Sequence, residues 1–248
     1  MSGKRKHPVL NVARHMIYSF RWTFVYYWLI YIAIFVGIAY LKTSNAVIDE
    51  ELGLQGVWES ASVSPKIFLM VIGIMLTPLS LASFVSNGVT RKHFIGGMIL
   101  VVTAVSALFG LTMTAGYLVE QFVYNQNHWQ LELQNPHLFT SSAQPVWIFF
   151  EYFFLFFAYF GSGWLIGSGF PRFHWQMGIA FSIVALLPAM AMEAVLSSDW
   201  IGKLLQLILD VERNPLAVVV LLAVLVLAFT MAMNYFLLRR VAIKKRTF

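Results

Sequence analysis

The 248-residue chain contains no cysteine. That absence excludes disulfides, thiolate metal sites and a cysteine nucleophile, and it leaves the redox compartment open. Charge is also scarce. Only 11% of residues are Asp, Glu, Lys or Arg, against about 25% in an ordinary soluble domain. Catalytic signatures are missing too. No Gly-x-Ser-x-Gly, no His-Glu-x-x-His and no phosphate-binding loop occurs. The nearest lookalike to such a loop, Gly37 to Lys42-Thr43, lacks the glycine before the lysine. Acidic residues are absent from one whole set of connecting loops.

What is present is apolar. Hydrophobic residues make up 59% of the chain and the mean hydropathy is +0.74. A helix needs about 20 apolar residues to cross a bilayer core, and six segments qualify: 22–41, 67–85, 94–119, 146–170, 175–196 and 216–238. They are too long and too uniformly apolar for barrel strands, which alternate over about ten residues. Backbone groups in lipid must satisfy one another, so these runs are helices. The expected fold is an all-α integral membrane protein, a single domain over residues 1–248 with six spans. The first run has no small-residue cleavage pattern and reads as a retained span, not a signal peptide.

Orientation follows from Lys and Arg in short loops. With the N-terminus inside, thirteen of the seventeen Lys and Arg lie on the cytoplasmic side, and Lys42, Lys66, Lys203 and Arg213 lie outside. All eleven acids fall in outer loops or near outer span ends. Both termini are therefore expected in the cytoplasm and the chain in the bacterial cell membrane. The net charge of +6 reflects this bias and favours anionic lipid headgroups over nucleic acid.

Residues 8–21 read as an amphipathic helix in the inner interface. Val9, Val12, Ala13, Met16 and Phe20 share one face, and Asn11, Arg14, His15, Tyr18 and Arg21 the other. Arg14 and Arg21 are its expected anchors. Thr77-Pro78 and Pro188 are expected to kink the second and fifth spans. The fourth span is crowded with aromatics and carries Gly163-x-x-x-Gly167 and Ala158-x-x-x-Ser162, spacings that permit close helix approach. Residues 197–214 read as an amphipathic segment at the outer surface. The acidic cluster Asp49, Glu50, Glu51 and the pair His128, His137 are weak metal patterns, read as solvated outer loops with no metal site. Glu151 and Glu193 are the acids nearest lipid depth and are placed at the outer interface.

The polar interruption between the second and third spans is only about eight residues long, Ser86 to His93. Thr90 is expected to cap a helix whose first residues are Arg91 and Lys92. Cations there oppose the helix dipole, which points to an acidic partner or lipid phosphates. Asn87-Gly88-Val89-Thr90-Arg91-Lys92-His93-Phe94 resembles the Gly-x-Ser/Thr-Arg-x-x-Phe signature of bacterial ABC transporter permeases of the type-2 exporter class. The six-span layout, the interfacial helix and the outer amphipathic segment are similar to that family as well.

The resemblance implies that Gly88, Thr90, Arg91, Lys92, His93 and Phe94 couple the chain to separate ABC ATPase subunits. Those subunits would bind ATP and magnesium, and this chain would hold no cofactor and be no enzyme. It also implies a second permease chain, identical or related, with the export pathway between the two. The competing readings are a non-transport membrane component (immunity, sensor or scaffold) of a larger complex, and an intramembrane enzyme using His174 or Glu193.

Overall fold

The computed structural model describes residues 7–43, 58, 62–126, 138–139, 144–169, 175–196 and 216–239. Every extended element among them is helical: α1 (Pro8–Thr43), α2 (Val63–Ser86), α3 (Arg91–Gln126), α4 (Pro145–Gly169), α5 (Trp175–Ala185), α6 (Leu187–Leu196) and α7 (Leu216–Arg239). Six stretches are long and apolar enough to cross a membrane, with α5 and α6 together forming the fifth. The chain is a multi-pass membrane protein. The acidic cluster at 49–51 and the pair His128 and His137, both read as solvated loop without a metal site, the loop at 171–174 and the segment at 197–214 lie outside the described residues.

The bundle is organised around α4, which packs against α2, α3, α5, α6 and α7. Its side chains are buried nearly all round from Ile148 to Gly169, so most of its aromatics are interior filling, and Phe150 is the exposed exception. Tyr152 and Phe156 pack together at 5.7 Å, and Phe156 meets Phe109 of α3 edge-on at 6.0 Å. By contrast α1 packs mainly on α3. It leaves Trp22, Val25, Tyr26, Leu29 and Ile30 exposed, as suits a helix whose outer face meets lipid or another chain.

The Gly163-x-x-x-Gly167 spacing has its partner in α2. A β-carbon on Gly163 would collide with the Met70 carbonyl, and one on Gly167 with the Ile74 carbonyl. On the α2 side, a β-carbon on Gly73 would stand 2.5 Å from the Phe160 carbonyl oxygen. The two backbones thus touch, as small residues allow in membrane helices. Pro78 contributes to the same contact. It has no N–H to give the Ile74 carbonyl, and that is the carbonyl turned toward Gly167. Thr77 and Ser168 hydroxyls meet 3.4 Å apart further along. On another side of α4, the Asn234 amide of α7 donates to the Gly161 carbonyl at 3.1 Å.

Two expected boundaries differ. The interfacial helix 8–21 and the first span form one unbroken helix of 36 residues. No glycine or proline falls between Pro8 and Gly37 to interrupt it. Its expected apolar face is indeed apolar, but Val12, Ala13 and Met16 are buried, with Val9 and Val12 seated over Gly96 and Gly97 of α3. Protein covers that face, not the headgroup layer. The fifth span is broken in two. Pro188 cannot donate to Val184, and the Leu186 N–H turns instead to the Ile183 carbonyl at 3.3 Å, a tighter i−3 bond that separates α5 from α6.

Candidate functional site

The turn between α2 and α3, on the side that charge bias assigns to the cytoplasm, is held by its own backbone. Gly88 has φ +81°, the left-handed conformation that favours glycine. Its N–H donates to the Val85 carbonyl at 3.0 Å, and the Val89 N–H reaches back to the Phe84 carbonyl at 3.0 Å. This is the Schellman closure of a helix C-terminus. The Asn87 amide and the Ser86 hydroxyl both donate to the Ser83 carbonyl, at 2.8 and 2.9 Å. Thr90 then caps α3, its hydroxyl accepting the His93 N–H at 3.3 Å. The cap agrees with the reading of Thr90, and the helix it starts is α3 itself, 36 residues long.

Around this turn Ser86, Asn87, Gly88, Thr90 and Lys92 are exposed, and Arg91 and His93 are half-buried. Phe94 differs from its neighbours. It is fully buried, 5.8 Å from the Phe84 ring, and so locks the turn from beneath without offering a surface. The first turn of α3 has no acidic residue, and among the described residues neither Arg91 nor Lys92 forms an ion pair.

Arg14 and Arg21 lie on the uncovered side of α1. Since Val9 meets Gly96 and Phe24 meets Phe109 at 5.9 Å, α1 runs alongside α3 from its first turn. Arg21 therefore stands beside the middle of α3 and not at its end. Its guanidinium lies 3.6 Å over the Tyr18 ring, one turn nearer the inner end, as a long cationic side chain does when it leans toward water.

Sequence reasoning missed the pairing of two buried charges. Lys66, read as an outer-side residue, begins α2. Glu193, read as an outer-interface acid, lies on α6. Lys66 Nζ and Glu193 Oε1 are 2.9 Å apart, with side-chain exposures of 2% and 0%. Tyr159 of α4 donates its hydroxyl to the same Oε1 at 2.9 Å. Three elements thus converge on one carboxylate oxygen.

Register fixes where the pair lies along the helices. Successive α2–α4 contacts (Met70 with Gly163, Ile74 with Gly167) advance together, so the helices run parallel. Lys66 lies in the first turn of α2 and Glu193 three residues from the end of α6, while Tyr159 is fourteen residues into α4, so the pair joins the ends of two helices to the middle of the central one. The signal was present in the sequence. Glu193 lies within an apolar run, and an intramembrane acid calls for a cationic partner. Lys66 is an outer-side cation directly abutting a span.

Two further buried carboxylates tie the outer ends. Glu120 accepts the Trp58 backbone N–H at 3.1 Å, and Glu151 accepts that of Leu138 at 2.7 Å. Between them, Tyr117 and Tyr152 hydroxyls share a hydrogen bond of 2.8 Å. Glu151 is six residues into α4. Among the described residues no three His, Asp or Glu converge as metal ligands.

No family model, no curated protein and no solved structure matches the chain.

Proposed function

We propose that this multi-pass protein is the membrane-spanning permease subunit of an ATP-driven exporter of the ABC type-2 class. In this reading it pairs with a second permease chain, identical or related, and takes its energy from ATPase subunits that carry the ATP and magnesium. The observation that supports it is the build of the turn at Asn87–Thr90. A Schellman closure on one side, a threonine cap on the other and buried Phe94 beneath make the turn a stiff joint between two spans. Force applied there reaches α2 and α3 together. The exposed and half-exposed cations Lys92 and Arg91 sit where the helix dipole disfavours them, which suits an acidic groove on a partner.

The test is Arg91→Glu with Lys92→Glu. The double variant is expected to express and fold as the parent does, because acids at a helix N-terminus are favourable, yet to lose co-purification of the ATPase and ATP-dependent export. Unchanged ATPase association with the folded double variant would refute the docking role.

A further inference from the structure

The Lys66–Glu193 pair has no part in that docking. We propose that it is a releasable latch that holds half-helix α6 against the outer end of α2, and whose opening lets the fifth span move at Leu186. The inference stands apart from the docking reading, since it concerns this chain alone.

The ions are a costly way to hold two helices together. Charges taken from water lose solvation that their mutual attraction seldom exceeds, and apolar residues of like volume often hold as well or better. The neighbouring α2–α4 contact shows the apolar alternative in the same bundle, with backbone on backbone at Gly73, Gly163 and Gly167. A charged link is selective where a packed one is not. It holds at one register and fails once the partners separate, which makes it two-state.

The elements on either side are built for such a change. α6 is ten residues long and is cut from α5 at Leu186 by the missing Pro188 donor. Its backbone packs on α4 and α7, and its Glu193 side chain bonds to Lys66 of α2 and Tyr159 of α4. Lys66 and Tyr159 sit on α2 and α4, whose backbones are locked together at Gly73, Gly163 and Gly167, so opening carries Glu193 away from both with α6.

The cysteine-free chain permits a direct test in proteoliposomes holding this protein only. Ala189 of α6 is buried, and Ala189→Cys supplies a single thiol whose reaction with a methanethiosulfonate reagent reports opening of α6. Reaction rate follows the open population, so Lys66→Glu, which sets two carboxylates face to face, should raise it by about tenfold or more. The charge exchange Lys66→Glu with Glu193→Lys should return it to the parental rate. The apolar pair Lys66→Met with Glu193→Met should stay folded, judged by a single sharp elution peak in detergent, and label no faster than the parent, since packed apolar side chains hold without charges to separate. Parental protection in Lys66→Glu, or fast labelling of the folded apolar pair, would overturn the latch. So would failure of the apolar pair to fold, because the ions would then be a structural requirement and not a switch.

Discussion

The two ends of α2 are built in opposite ways. At the inner end the chain turns through backbone bonds from Gly88 and Val89 and a hydroxyl cap from Thr90. The side chains there are largely free to face water, and the turn would keep its shape with many of them changed. At the outer end the shape depends on two side chains, Lys66 and Glu193, that meet at 2.9 Å deep in the bundle. Backbone-held structure is local in sequence and stiff. Side-chain-held structure joins residues far apart in sequence and fails when one partner goes. The inner turn thus suits a fixed docking surface and the outer pair a contact that makes and breaks.

The comparison can be broken most forcefully at the pair. Lys66→Met alone leaves Glu193 buried beside Tyr159 without its cation, and removing one partner of a buried pair costs about 3–5 kcal/mol. A fall in thermal stability well beyond that of the apolar double variant is expected. Equal stability of the single and double variants would show that the charges are not coupled. Next comes the α2–α4 contact that sets their register. Gly163→Ala forces a methyl against the Met70 carbonyl, an overpacking worth about 1–3 kcal/mol, and should lower the melting temperature with no change at the inner turn.

At the turn itself the effects should be smaller. Gly88→Ala places a β-carbon in a left-handed conformation for about 1–2 kcal/mol, with open space around it, so the loss should be conformational alone. Gly88→Asn, which tolerates that region better, should recover part of it. Thr90→Ala removes a cap whose bond is long at 3.3 Å, and about 0.5–1 kcal/mol is expected by thermal melting. An effect at Thr90 larger than at Lys66 would invert the contrast between the two ends.

How much of this was legible in the sequence follows the same division. The number of spans and the Thr90 cap are local patterns of apolar length and capping, and they stand in the structure as read. The Gly163-x-x-x-Gly167 spacing was visible, but nothing in it named α2, because one helix's small residues do not identify the facing helix. The boundary at Arg21 was misplaced because charge was taken to mark the membrane edge, while α1 has no breaker there and its apolar face has α3 to cover it. The pairing of Lys66 with Glu193 was not legible in the charge bias, which fixes which side a residue belongs to and does not say which residues far apart in sequence meet.

The central claim is that the turn at Asn87–Thr90 receives an ATP-binding partner, and the direct measurement is proximity cross-linking from that turn in native membranes. Thr90→Cys in the otherwise cysteine-free chain, carrying a short photoreactive maleimide, is predicted to cross-link a soluble chain that contains Gly-x-x-x-x-Gly-Lys-Ser/Thr and binds ATP. Cross-linking only to lipid, or to proteins without that motif, would contradict the account.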